Sequence, residues 1–153
     1  ADIELCNKHD ASGEPVADLH VRYAALHGTN IDADIIPRLI DEIPVITAAA
    51  VMAEGTTVIS GAQELRVKES DRLKVICSEF GKLTDAITEK EDGLIIKGGS
   101  IFKTAQCDSC NDHRIAMSLA ILGAAGAGVS IENPDCVNIS YPTFYKTLEE
   151  LRK

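Results

Sequence analysis

Asp41-Glu42-Ile43-Pro44-Val45-Ile46-Thr47-Ala48-Ala49-Ala50-Val51-Met52-Ala53-Glu54-Gly55-Thr56-Thr57-Val58-Ile59 places two kinds of local structure side by side. Two acids followed by proline suit the positive, donor-rich start of a helix. The Ala-rich run continues that helix, Gly55 closes it, and Thr56 to Ile59 reads as a short strand. After a polar loop, Ser70 reads as the cap of a second helix, whose Leu73, Ile76, Cys77, Phe80 and Leu83 follow the spacing of one apolar stripe. The same plan returns about 70 residues later, between Asp112 and Leu151. Asn111 or Asp112 caps a helix through Gly123 with little polar surface, carrying Ile115, Ala116, Leu119, Ala120 and Leu122. Val129 to Glu132 is a strand. Ser140 and Pro142 then lead into an amphipathic helix with Phe144, Leu148 and Leu151 on one face and Lys146, Arg152 and Lys153 toward its negative end. Helices that connect strands in a repeated order predict an α/β or α+β class built from small sheet-and-helix modules.

The flanking sequence fits that class. Ala1 to Leu5 reads as a strand already under way, and Ala17 to Tyr23 alternates with period two, as a strand with one wet face does. Asn30 to Leu39 is mixed and turn-like. Ala86 to Thr88 and Leu94 to Lys97 flank Glu91-Asp92-Gly93, and Asp-Gly between strand-like runs is a strong hairpin signal. Ser100 to Thr104 reads as one more strand. The chain contains no linker and no low-complexity segment, and residues 1–153 are expected to form one domain. Because it opens in a strand rather than on Met, it reads as a piece of a longer protein.

Composition narrows the function. Twenty-four Asp and Glu stand against 15 Lys and Arg, a formal net charge of −9. The most basic-looking stretch, Glu64 to Arg72, carries as many acids as bases. Nucleic-acid binders neutralise phosphates with clustered cations, so a nucleic-acid partner is not expected. No apolar run approaches the roughly 20 residues of a membrane helix, and no membrane association is expected. Five cysteines, an odd number without a disulfide framework, point to a reducing, cytoplasmic compartment.

Chemistry concentrates at two helix starts. In Lys68-Glu69-Ser70-Asp71-Arg72 a cation sits where the helix dipole disfavours it, at a cost of about 0.3–1 kcal/mol, and Arg114 repeats the anomaly after Asn111-Asp112-His113. One such site is explained by pairing with Asp71 or Asp112. Two sites at corresponding places in a repeat point instead to guanidinium groups and backbone N–H groups cradling a phosphate or carboxylate. Asp41, at one helix start, and Glu69, next to Lys68 at another, are candidates for proton exchange with a bound hydroxyl. Cys107-x-x-Cys110-x-x-His113, with Cys136 as a fourth ligand, offers a zinc reading, although a lone CxxC is weak support for one. Gly123-Ala-Ala-Gly126-Ala-Gly128 follows a helix rather than a strand and fails the dinucleotide fingerprint.

Asp41-Glu42-Ile43-Pro44, Leu65-Arg66-Val67-Lys68-Glu69-Ser70-Asp71-Arg72-Leu73 and Asp112-His113-Arg114-Ile115-Ala116-Met117, in this order and spacing, closely resemble the 5-enolpyruvylshikimate-3-phosphate synthase family. Ile139-Ser140-Tyr141-Pro142-Thr143-Phe144 is similar to that family's C-terminus. The resemblance covers nearly the whole chain but only about the last third of the enzyme. It implies repeated βαβαββ units, a partial C-terminal domain, and substrates held in a cleft against a missing N-terminal domain.

The implied reaction moves the enolpyruvyl group of phosphoenolpyruvate to the 5-hydroxyl of shikimate 3-phosphate, in the shikimate pathway of aromatic amino acid biosynthesis. No metal and no organic cofactor is implied. By resemblance, Asp41 contacts the shikimate hydroxyls and moves a proton, Glu69 is the second acid–base residue beside Lys68, and Arg72 and Arg114 hold phosphoenolpyruvate. Without its first domain the chain is expected not to turn over. The rival readings are the related transferase that acts on UDP-N-acetylglucosamine and a non-catalytic zinc or interaction module.

Overall fold

The computed structural model describes residues 1–151, so the expected placement of Arg152 and Lys153 lies outside the described residues. Strands β1 (Asp2–Ala11) and β2 (Glu14–Arg22) form an antiparallel hairpin in which Ile3 pairs with Val21 and Leu5 with Leu19. These four side chains are exposed, and the hairpin contributes nothing to the main buried cluster. Next come β3 (Asn30–Ile31), α1 (Ile36–Leu39), a 3-10 turn at Ile40–Glu42, α2 (Ile43–Met52) and β4 (Thr56–Ile59). The region expected to be turn-like thus holds a two-residue strand and one helical turn.

A second 3-10 turn, Gln63–Val67, leads into α3 (Arg72–Glu79), and the hairpin strands β5 (Ile87–Lys90) and β6 (Gly93–Lys97) follow. These strands build a sheet in the order β3-β4-β6-β5. The β3–β4 pair is parallel and β6 runs antiparallel to both β4 and β5. A parallel pair needs a crossover, and α2 supplies it. The chain order here is therefore βαβαββ, apart from the short α1. Strand β7 (Ala105–Asp108), α4 (His113–Ala124), β8 (Val129–Glu132) and α5 (Phe144–Leu151) repeat its first four steps, with β7 and β8 again parallel. The mixed α/β class and the internal repeat are both as the periodicity predicts.

Helix α2 carries no charged residue and packs against α4, so the two Ala-rich helices meet in the interior. Ile43 and Val51 of α2 and Ile115 and Leu119 of α4 share one buried cluster with Ile59, Leu73 and Phe80. Each fully buried Leu, Ile or Phe stabilises the fold by roughly 1.5–3 kcal/mol. The predicted stripe on α3 is buried at Leu73, Ile76, Phe80 and Leu83, with Cys77 half-buried beside it.

Three local expectations are corrected. Ser100 to Thr104 is not a strand: the Lys103 N–H donates to the Leu83 carbonyl at 2.8 Å, which holds this segment against the end of the 3-10 turn Phe80–Lys82 that follows α3, and pairing starts only at Ala105. Ser70 does not cap α3; Asp71 does, accepting from the Lys74 N–H at 3.1 Å. Gly93 is required by close approach rather than by the turn, since a Cβ there would lie 1.9 Å from the Ile59 carbonyl oxygen of neighbouring β4.

Candidate active site

The two repeats present corresponding helix starts to each other. At one, Asp71 caps α3 and Arg72 is the first helical residue. At the other, Asp112 caps α4 and accepts from the Arg114 N–H at 3.0 Å and the Ile115 N–H at 3.4 Å. One backbone donor at the start of α3, the Lys74 N–H, and two at the start of α4 are thus already engaged by side-chain caps. Between the helix starts, the 3-10 turn before α2 brings up Asp41.

Arg72 is the hub. Its side chain has no exposed surface, and its guanidinium donates to Asp112 Oδ2 at 2.7 Å, to Asp41 Oδ1 at 2.8 Å and to Glu69 Oε2 at 2.6 Å. Asp112 is also fully buried, and Ser70 Oγ donates to it at 3.0 Å. A buried ion pair persists only when its remaining polar atoms are satisfied. Here Ser70 and the α4 backbone meet that condition.

Burial alone would disfavour the charged form of both Asp112 and Asp41. The hydrogen bonds and charge of Arg72 outweigh it, with Ser70 and the Arg114 backbone assisting at Asp112 and the Arg114 and Lys68 charges assisting at Asp41, so both carboxyls titrate below the usual range. For Arg72, desolvation is overcome by its bonds to Asp112 and Asp41 and by the charge of Glu69, and its pKa is raised. Asp41, Asp112 and the guanidinium are thus charged together.

Lys68 and Arg114 complete the group. Lys68 Nζ stands 3.7 Å from Asp41 Oδ1. Arg114 donates to the Asp41 carbonyl at 3.0 Å and lies 3.6 Å from Asp41 Oδ2. Their side chains are 32% and 33% exposed, unlike that of Arg72, so these two cations have surface to offer a ligand. Asp41 and Arg114 also border an open cavity of about 240 Å³ lined by Val45, Met117, Ser118, Ile121 and Phe144.

All five residues singled out from the sequence, Asp41, Lys68, Glu69, Arg72 and Arg114, therefore meet at one place. In this structure the Arg72 guanidinium is occupied by Asp41, Glu69 and Asp112. Asp112, read from sequence as a cap or as a local partner for a nearby cation, is instead the buried counter-ion of Arg72, 40 residues away. The available signal was an arginine in the first turn of a helix, which needs an acid from elsewhere.

A family model described as EPSP synthase (3-phosphoshikimate 1-carboxyvinyltransferase) matches residues 5–148. The chain belongs to the EPSP synthase family. Proteins named 3-phosphoshikimate 1-carboxyvinyltransferase from Thermoanaerobacter sp. strain X514 and Synechocystis sp. strain PCC 6803 are 52% and 53% identical to it, over 98% and 99% of this chain. An EPSP synthase structure from Acinetobacter baumannii superposes over 97% of the chain with a TM-score of 0.87 at 39% identity. The chain spans only 36% and 34% of the two named relatives and 36% of that structure. It is thus similar to part of an EPSP synthase, with the mixed α/β fold of a partial domain.

The zinc reading is not supported by the geometry. Cys107 is buried with its thiol on the Glu79 carbonyl at 3.3 Å, while Cys110 is exposed. Among the described residues no group of three His, Cys, Asp or Glu side chains is placed to hold a metal ion.

Proposed function

We propose that this chain forms part of an enzyme that transfers the enolpyruvyl group of phosphoenolpyruvate to the 5-hydroxyl of shikimate 3-phosphate and releases phosphate. The observation that carries the reading is the convergence of Asp41, Lys68, Glu69 and Arg114 around the buried Arg72–Asp112 pair. The acceptor oxygen adds to C2 of phosphoenolpyruvate while a proton is delivered to C3. The tetrahedral intermediate then loses phosphate and returns a proton from C3, which restores the double bond. Each half needs a group that moves a proton, and the whole needs cations facing a phosphate and a carboxylate.

Asp41, held ionised by its three cationic neighbours, is in the form that accepts the hydroxyl proton. Glu69 serves as the second acid–base group. Lys68 and Arg114 neutralise phosphoenolpyruvate, and Arg72 holds the two carboxylates in register. No metal or organic cofactor is assigned a step. The portion of the enzyme beyond these 153 residues supplies the opposite wall and much of the shikimate phosphate site, so the chain alone does not turn over. Five unpaired cysteines support a cytoplasmic setting, and among the described residues no helix is long and apolar enough to cross a membrane.

The test is phosphate release from a full-length synthase carrying this chain, given phosphoenolpyruvate with shikimate 3-phosphate or with UDP-N-acetylglucosamine. Release with shikimate 3-phosphate only, lost in both Asp41→Asn and Arg114→Ala, is expected. Activity that survives both substitutions refutes the site, and activity with the other acceptor refutes the substrate.

A further inference from the structure

We propose that Arg66 is a positioning residue for this reaction, clamping the segment that bears Lys68 and Glu69 to the tip of the β5–β6 hairpin. The inference rests on the roles given to Lys68 and Glu69 above. Those two residues lie in an exposed stretch between the Gln63–Val67 turn and α3. Among the described residues, no backbone hydrogen bond of the loops and turns involves Lys68, Glu69 or Ser70. Their side chains reach Asp41, Arg72 and Asp112, but those contacts do not fix the backbone path. Something at the flanks must.

Arg66 uses its whole fork there. Nε donates to the Glu91 carbonyl at 3.0 Å and Nη2 to the Lys90 carbonyl at 2.8 Å. Nη1 donates to Glu89 Oε1 at 2.8 Å and to the Asp71 carboxylate at 3.2 and 3.3 Å. One guanidinium therefore ties the turn before Lys68, the cap after Ser70, the last residue of β5 and the first residue of the hairpin turn. The tip grips back: the Asp92 carboxylate accepts from the Gly61 N–H at 2.8 Å and its carbonyl from the Ala62 N–H at 2.7 Å.

Four acceptors in diverging directions suit five N–H groups in a rigid fork and not a single ammonium nitrogen. Arg66 makes no hydrogen bond to Asp41, Arg72 or Arg114, so its effect passes through the segment. Leu65 beside it is fully buried and anchors the turn without help from Arg66.

The experiment measures kcat and KM in a full-length synthase carrying this chain, with Arg66→Ala and Arg66→Lys, each alone and combined with Glu69→Gln. Misplacing a catalytic group by about 1 Å costs on the order of 100-fold in rate. Expected is a ten- to hundredfold fall in kcat for both Arg66 variants, with KM for shikimate 3-phosphate within about threefold of wild type. In the Glu69→Gln background the same substitutions should cost clearly less than in wild type, the remainder passing through Lys68, because groups that act together are not additive. Circular dichroism confirms folding, and Arg66→Lys, which keeps the charge and stem, serves if Arg66→Ala unfolds. Full activity in folded Arg66→Lys, or an equal loss in both backgrounds, overturns the proposal while leaving the reaction assignment standing. An unsubstituted enzyme that releases no phosphate overturns the assignment itself.

Discussion

Asp112→Asn is the most direct probe of the buried pair at the centre of the site. The substitution preserves size, and asparagine caps helices about as well as aspartate, so the α4 cap is kept and chiefly the charge is lost. Removing one partner of a buried ion pair costs about 3–5 kcal/mol, because the other charge is stranded. Arg72 keeps Asp41 and Glu69 at 2.8 and 2.6 Å, which places the expected loss at the lower end, about 3 kcal/mol. Asp112→Ala also removes the cap and is expected to cost about 1 kcal/mol more.

Urea unfolding at pH 7 measures both, and for a chain of this size the thermal midpoint of Asp112→Asn should fall by about 6–12 °C. The acid limb gives an independent check. The Asp112 carboxyl titrates below its ordinary 3.8 in the fold, so its stabilisation is complete above that pH and is lost as pH falls through the folded value. Stability of Asp112→Asn should therefore depend less steeply on pH below about 4. An Asp112→Asn protein within about 1 kcal/mol of wild type at pH 7, with an unchanged acid limb, would refute the argument that the pair organises these helix starts.

Two further outcomes test the packing. Gly93→Ala would press a methyl into the Ile59 carbonyl, so β4 and β6 must part, and a loss of about 3 kcal/mol or more is expected in thermal unfolding. The Cys107 thiol is pushed up to about 11, first by burial and then by the Glu79 charge. Its contribution is full below the ordinary 9.0 and lost as pH rises toward 11; Cys77, also raised to about 11, adds to the same decline. Cys107→Ala should flatten the fall in stability between pH 9 and 11 without abolishing it, as read by urea unfolding across that range.

Local signals determined much of this molecule. Period-two alternation predicted β2, the Asp-Pro-Ala run predicted α2, and the Glu91-Asp92-Gly93 turn predicted the β5–β6 hairpin, because each depends on neighbours within a few residues. The repeat was legible for the same reason, as was the list of chemically suspicious residues, since a cation in a helix's first turn is anomalous wherever the helix lies.

Contacts between distant residues decided the rest. Nothing in sequence shows that Arg72 and Asp112, 40 residues apart, would bury each other's charge, nor that Asp41 would join them from a third element. Ser70 reads as a cap until Asp112 claims its hydroxyl, and Arg66 reads as one charge among many until the hairpin tip closes on it. A side chain's hydrogen-bonding capacity is a property of the residue, but which partner takes it depends on where packing of the apolar faces brings the two repeats together. Residue type therefore announced the chemistry, and only the packed structure divided it into exposed cations that can meet a ligand and a buried arginine that holds the acids in place.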